Sequence, residues 1–109
     1  MLDLRLYLAQ RISAMVMIPL TLGHIAVMIY AIQDGLTAAE ILGRTQGSTF
    51  WALFYGSFVV AVSVHAAIGL RVIAHEWFGL ARAWLAPFMW AVGAGLLVMG
   101  LRSVWAVTA

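Results

Sequence analysis

The sequence predicts an all-α integral membrane protein of three transmembrane helices, and three observations carry that prediction. Of the 109 residues, 65% are apolar and 9% charged, with a mean hydropathy of +1.03. A soluble domain of this size needs a polar shell that such a composition does not supply. The apolar residues are also bunched into three runs, and a run of about 18 or more with few charges is long enough to span a bilayer. Finally, the charged residues gather at the ends of those runs.

The first span is expected over residues 12–32, between Arg11 and the polar group Gln33-Asp34-Gly35. Roughly 21 residues at 1.5 Å each cover a ~30 Å hydrocarbon core. Pro19 lies inside it, which membrane helices tolerate when neighbours satisfy the freed carbonyl. The loop from Gln33 to Ser48 holds Asp34, Glu40, Arg44 and three glycines, and residues 36–42 are expected to form a short interfacial helix. The second span, 49–73, carries Ser57, Ser63 and His65. A connector over 75–82 leads to the third span, 83–103, with Arg102 near its far end. There is no repeat, and the spans are too close together for a separate extramembrane unit. Residues 1–109 are therefore expected to be one membrane domain, packing with a partner anchor chain into a helical bundle. The N-terminus does not look like a cleavable signal, since the apolar stretch after Arg11 is too long for a signal core.

All six basic side chains are arginines. They sit at helix ends, so they act as topology signals and do not form a nucleic-acid surface. Arg5, Arg11, Arg71 and Arg82 fall on one side, Arg44 and Arg102 on the other, which predicts a cytoplasmic N-terminus. Trp51 and Trp105 then mark the outer interface, and Trp77 and Trp84 the inner one. The chain has no cysteine, which excludes disulfides, thiolate haem ligands and iron–sulfur clusters bound by this chain.

An ionisable residue inside a span is costly and marks a functional site by default. Two lie deep, His24 and His65, and no Asp or Glu accompanies them. Ser57, Ala61 and Gly69 share a helical face with His65 at four-residue spacing. Two readings of that stripe stand side by side. It can be a shallow groove that lets a flat macrocycle bring its iron to the imidazole. It can equally be a contact where helices pack closely and the histidine bonds across. His24 has bulkier neighbours, Leu20, Val27 and Met28, which favours a bond to a neighbouring helix. His65 is six residues from Arg71, about 9 Å at the helical rise, and His24 is thirteen from Arg11, about 20 Å. Two ligands of one haem must lie at nearly one level, so this difference predicts two haems, each completed by another chain, if both residues bind one.

The segment His65-Ala66-Ala67-Ile68-Gly69-Leu70-Arg71, with Glu76 shortly after, resembles the second-helix motif of the cytochrome b anchor subunit of succinate dehydrogenase and fumarate reductase. That motif is a histidine, three residues, glycine, an aliphatic residue, arginine and then an acidic residue. The family's first-helix motif is a serine, two residues, histidine-arginine and a hydroxyl residue two further on. It is matched at Arg11 and Ser13, while Tyr7 stands in place of the serine and Gln10 in place of the histidine. The resemblance implies that His65 is an axial ligand of haem b, and that His24 is a distal ligand as in two-haem variants. It implies that Arg71 and Arg11 serve a haem propionate or quinone, and that Ser13 and Tyr7 belong to a quinone pocket.

On the same footing, the expected cofactors are one or two haem b groups, shared with a partner chain, and ubiquinone or menaquinone. The expected partners are a flavoprotein subunit, an iron–sulfur subunit, a second membrane-anchor subunit and the lipid bilayer, with no nucleic acid. The resemblance places the protein in a bacterial cytoplasmic membrane as a subunit without catalysis of its own. Competing readings are a haem-free anchor, or the cytochrome b subunit of another oxidoreductase such as a formate dehydrogenase or hydrogenase. A small multidrug-type transporter fits poorly, because those carriers depend on an embedded carboxylate and usually on four spans.

Overall fold

The computed structural model describes residues 3–109. Four helices follow in order: α1 (Leu4–Asp34), α2 (Ala38–Thr45), α3 (Thr49–Phe78) and α4 (Arg82–Thr108), with no strand among the described residues. Helices α1, α3 and α4 are each long and apolar enough to cross a membrane. They run up, down and up, with α3 packed against both of the others. The molecule is a rod of 48 × 23 × 22 Å.

Each spanning helix is longer than the span predicted for it. α1 starts at Leu4, well before Arg11, because Asp3 caps it: its Oδ1 accepts from the Leu6 amide at 2.9 Å. α3 runs to Phe78 and absorbs half of the expected 75–82 connector. It stops at Gly79, whose φ of 67° is left-handed, with the Leu80 amide donating back to the Ala74 carbonyl at 3.0 Å. Only three residues, Gly79 to Ala81, then join α3 to α4. α4 continues to Thr108 instead of ending near residue 103. Hydropathy marks the hydrocarbon-crossing part of a helix; its ends are set by caps in the headgroup layer.

The interfacial helix forms two or three residues later than expected, at Ala38–Thr45. Thr37 and Glu40 make a reciprocal capping box that fixes its start. Gly35, at φ 143°, precedes it, and a Cβ there would overlap the Glu40 carboxylate. Thr45 Oγ1 donates to the Val107 carbonyl and the Gly47 amide to the Thr108 carbonyl, at 2.6 and 2.8 Å, so α2 is tied to the end of α4.

Arg44 closes the same end. It pairs with Asp34 at 2.8 Å, donates to the Gly35 carbonyl at 2.8 Å, and lies over the Tyr30 ring at 5.7 Å. Asp34 is half exposed, which screens the ion pair, so the carbonyl bond carries much of the value. Arg44→Gln is expected to cost about 1 kcal/mol. The readouts are a lower thermal midpoint in detergent and faster amide exchange across Gly35–Gly47.

Burial is slight. Ala67, Ile68 and Met89 form a small core, with Leu6, Ala9 and Val92 against it. This cluster brings the start of α1, the later half of α3 and the start of α4 together, which puts Arg5, Arg11, Arg71 and Arg82 at one end of the rod. The α3–α4 seam is a close approach through small residues, as membrane helices prefer. A Cβ at Gly93 would sit 3.3 Å from that of Ala67, and one at Gly100 would overlap the Val59 side chain. Ser63 is buried in the same region.

Candidate functional site

α1 lies along the stripe of small residues on α3 and covers part of the groove read from the sequence, while a recess of about 510 Å³ stays open between Ile12, Ser13 and Val16 and the Ser57–Ala61 half of the stripe. Ala61 is buried there, and Gly69 faces Gln10, whose Nε2 lies 3.4 Å from where a glycine Cβ would be. Ser57, at the other end of the stripe, remains exposed. The stripe thus packs against Gln10 at Gly69 and lines an open recess at Ala61 and Ser57.

His65 sits half-buried in this seam. Its Nδ1 is 3.4 Å from the Ser13 hydroxyl, and that hydroxyl donates to the Gln10 carbonyl at 2.9 Å. Ser13 is only 6% exposed, the single buried residue of α1. On its other side the imidazole lines a shallow recess of about 380 Å³ with Ala14, Met17, Ile18, Thr21 and Leu22. The ring therefore touches a hydroxyl on one side and an open apolar hollow on the other.

Arg11 lies three and seven residues before Ala14 and Ile18, so it stands on the strip of α1 that forms this recess. Tyr7, one turn earlier, stacks under the Arg11 guanidinium at 5.8 Å. Both are exposed. Arg71 is different. It is six residues from His65, about 120° round α3, and continues the strip of Val64 and Ala67. Those residues line a separate cleft of about 370 Å³ between all three spans, closed on the far side by Met89, Trp90 and Gly93.

His24 is held elsewhere. Its ring meets Tyr55 and Phe58 edge-on, with centroids 6.0 and 5.6 Å away. Gly23 makes this approach possible, since a Cβ there would be 3.1 Å from the Phe54 ring. Tyr55 in turn stacks on Trp51 at 5.7 Å, so Trp51 is a packing residue as well as an interfacial one. Ser13 and His24 are eleven residues apart on α1, about 16 Å, and Phe58 and His65 seven apart on α3, about 10 Å. The two histidines therefore occupy different levels of the rod.

Two buried polar atoms have no hydrogen-bond partner among the described residues, His24 Nδ1 and Gln10 Oε1. Gln10 entered the sequence reading only as a departure from a motif; a polar side chain aligned with Ser13 and Tyr7 was the available signal. The third histidine, His75, is structural: its Nδ1 donates to the Leu80 carbonyl at 3.0 Å and ties the α3–α4 turn. Among the described residues no three His, Asp or Glu side chains converge on one point.

The sequence profile of the succinate dehydrogenase/fumarate reductase transmembrane subunit matches residues 2–101. The chain belongs to that family. It is accordingly a membrane-anchor subunit of an oxidoreductase complex and not an enzyme by itself. No curated protein and no solved structure matches it. The two histidines of its spans lie in two places, His65 against Ser13 and His24 against Tyr55 and Phe58, and both are between α1 and α3.

Proposed function

We propose that the chain is the haem b-binding anchor of a succinate:quinone oxidoreductase-type complex, passing electrons between flavin and iron–sulfur subunits and membrane quinone. The observation that carries this reading is His65, a membrane-embedded imidazole with one nitrogen met by a buried hydroxyl and its ring lining an open apolar recess. That pairing suits an axial ligand, which needs one nitrogen oriented and the other free. When bound, haem b supplies a one-electron couple whose potential the surrounding burial and hydrogen bonds tune.

His65 would hold the iron on this chain's side, and Arg11 would offset propionate charge or meet quinone beside Tyr7. Arg71, turned to another face, suits the docking end better than this haem. His24, with its buried unpartnered nitrogen, would serve a second haem at the other level. A second anchor chain would supply the opposing ligands. The arginine-rich end would face the cytoplasm of a bacterial cell and receive the soluble subunits.

A haem-free anchor is the second reading. It is favoured by the Ser13–His65 contact and the edge-on rings round His24, which are what helix-packing histidines make. The test is haem b per copy of this chain in the intact complex, purified in mild detergent. One or two per copy, with sharp reduced α and Soret bands, supports the cytochrome. None, in a complex that keeps its partners, overturns it and leaves a plain anchor.

A further inference from the structure

We propose that Ser13 is a positioning residue that fixes the tautomer of His65, an inference that rests on His65 being the haem ligand. A serine hydroxyl has one proton to give. Here the Gln10 carbonyl, at 2.9 Å, is well placed to take it, and His65 Nδ1, at 3.4 Å, is the longer contact. Giving the proton to the imidazole would sacrifice the shorter bond for the longer. The Ser13 oxygen therefore keeps its remaining lone pair for His65, and Nδ1 must be the nitrogen that carries hydrogen. Nε2 is left with the free lone pair.

The burial of Ser13 makes the arrangement hard to replace. At 6% exposure, water does not readily stand in for the hydroxyl. The same burial sets Ser13 apart from a quinone contact: its hydroxyl is occupied by α1 and α3 themselves. In a histidine that ligates a metal, the hydrogen bond at one nitrogen decides which other nitrogen binds and how the ring is turned. Ser13 performs that task from one helix for a ligand on another. The α1–α3 seam therefore becomes part of the ligand's geometry.

The test uses the full chain in lipid nanodiscs without haem, labelled with 15N-histidine, above the pH range in which an ordinary histidine is charged. His65 resonances are identified by their loss in His65→Ala. A dominant Nδ1–H form in the wild type, lost to a mixture or to Nε2–H in Ser13→Ala and restored in Ser13→Thr, supports the proposal. An Nε2–H form in the wild type, or no change in Ser13→Ala, overturns it. In the assembled complex, Ser13→Ala should weaken haem retention about 10- to 100-fold, and Ser13→Thr should recover most of it. Normal haem content in His65→Ala would overturn the ligand reading alone, since the tautomer result does not depend on haem.

Discussion

His65→Ala is expected to remove one haem b per copy of this chain, while the complex retains its partners. The imidazole is the one histidine lining the α1–α3 recess, with the Met17 thioether a weaker candidate beside it, and alanine leaves Ser13 without its contact on α3. The comparison that gives the result meaning is His24→Ala. Its ring lies about 10–16 Å away along the rod and touches none of the same residues. Loss of a different haem in each variant, resolved by reduced-minus-oxidised spectra and midpoint potentials, would establish two levels of haem. Loss in His65→Ala only would reduce His24 to the centre of an aromatic cluster. Unchanged haem in both variants would refute the ligand assignments. Stability separates the cases further. His24 is wedged against Tyr55 and Phe58, so its truncation should cost about 1–3 kcal/mol of packing whatever it binds.

Gly100→Leu should part α3 from α4. Even a methyl group at this position would overlap Val59, and the Val59 side chain is short and branched, with little room to rotate away. Overpacking of this kind typically costs about 1–3 kcal/mol, and leucine adds three carbons beyond the methyl. Helix association in a bilayer is driven by close packing more than by hydrophobic burial, so a wider seam has little to compensate it. The measurement is the thermal midpoint of the complex in mild detergent together with recovery of this chain in it. Gly95→Leu is the control, because a Cβ at Gly95 meets nothing within 4 Å. Equal behaviour of the two variants would show that the Gly100 seam does not limit stability.

The three spans, the interfacial helix and their order were legible because hydropathy and arginine placement report directly on the bilayer. Helix ends were less so. Asp3, Thr37 and Gly79 set them through hydrogen bonds and a left-handed turn, and hydropathy does not register either. At the site, the two histidines stood out because an ionisable group in a span is rare. The stripe of small residues was ambiguous between groove and contact, and the path of α1 leaves both, a contact at Gly69 and a recess at Ala61 and Ser57. The helical phase of Arg71, about 120° round α3 from His65, was available from the spacing alone. Gln10 was the least visible. Its one signal was the alignment of a neutral amide with Ser13 and Tyr7, which is weak until a partner helix buries it.

The narrowness of the rod has a consequence for anything water-soluble that docks on it. With a length of 48 Å the molecule about matches a bilayer with its headgroups, some 40–45 Å, so a soluble protein meets only its end. A cross-section of 23 × 22 Å offers roughly 500 Å² of footprint, below the ~800 Å² that each side of a standard interface buries. If soluble subunits dock as proposed, a landing site of ordinary size would take in a second membrane chain, for which the exposed flanks of α1 and α4 leave room.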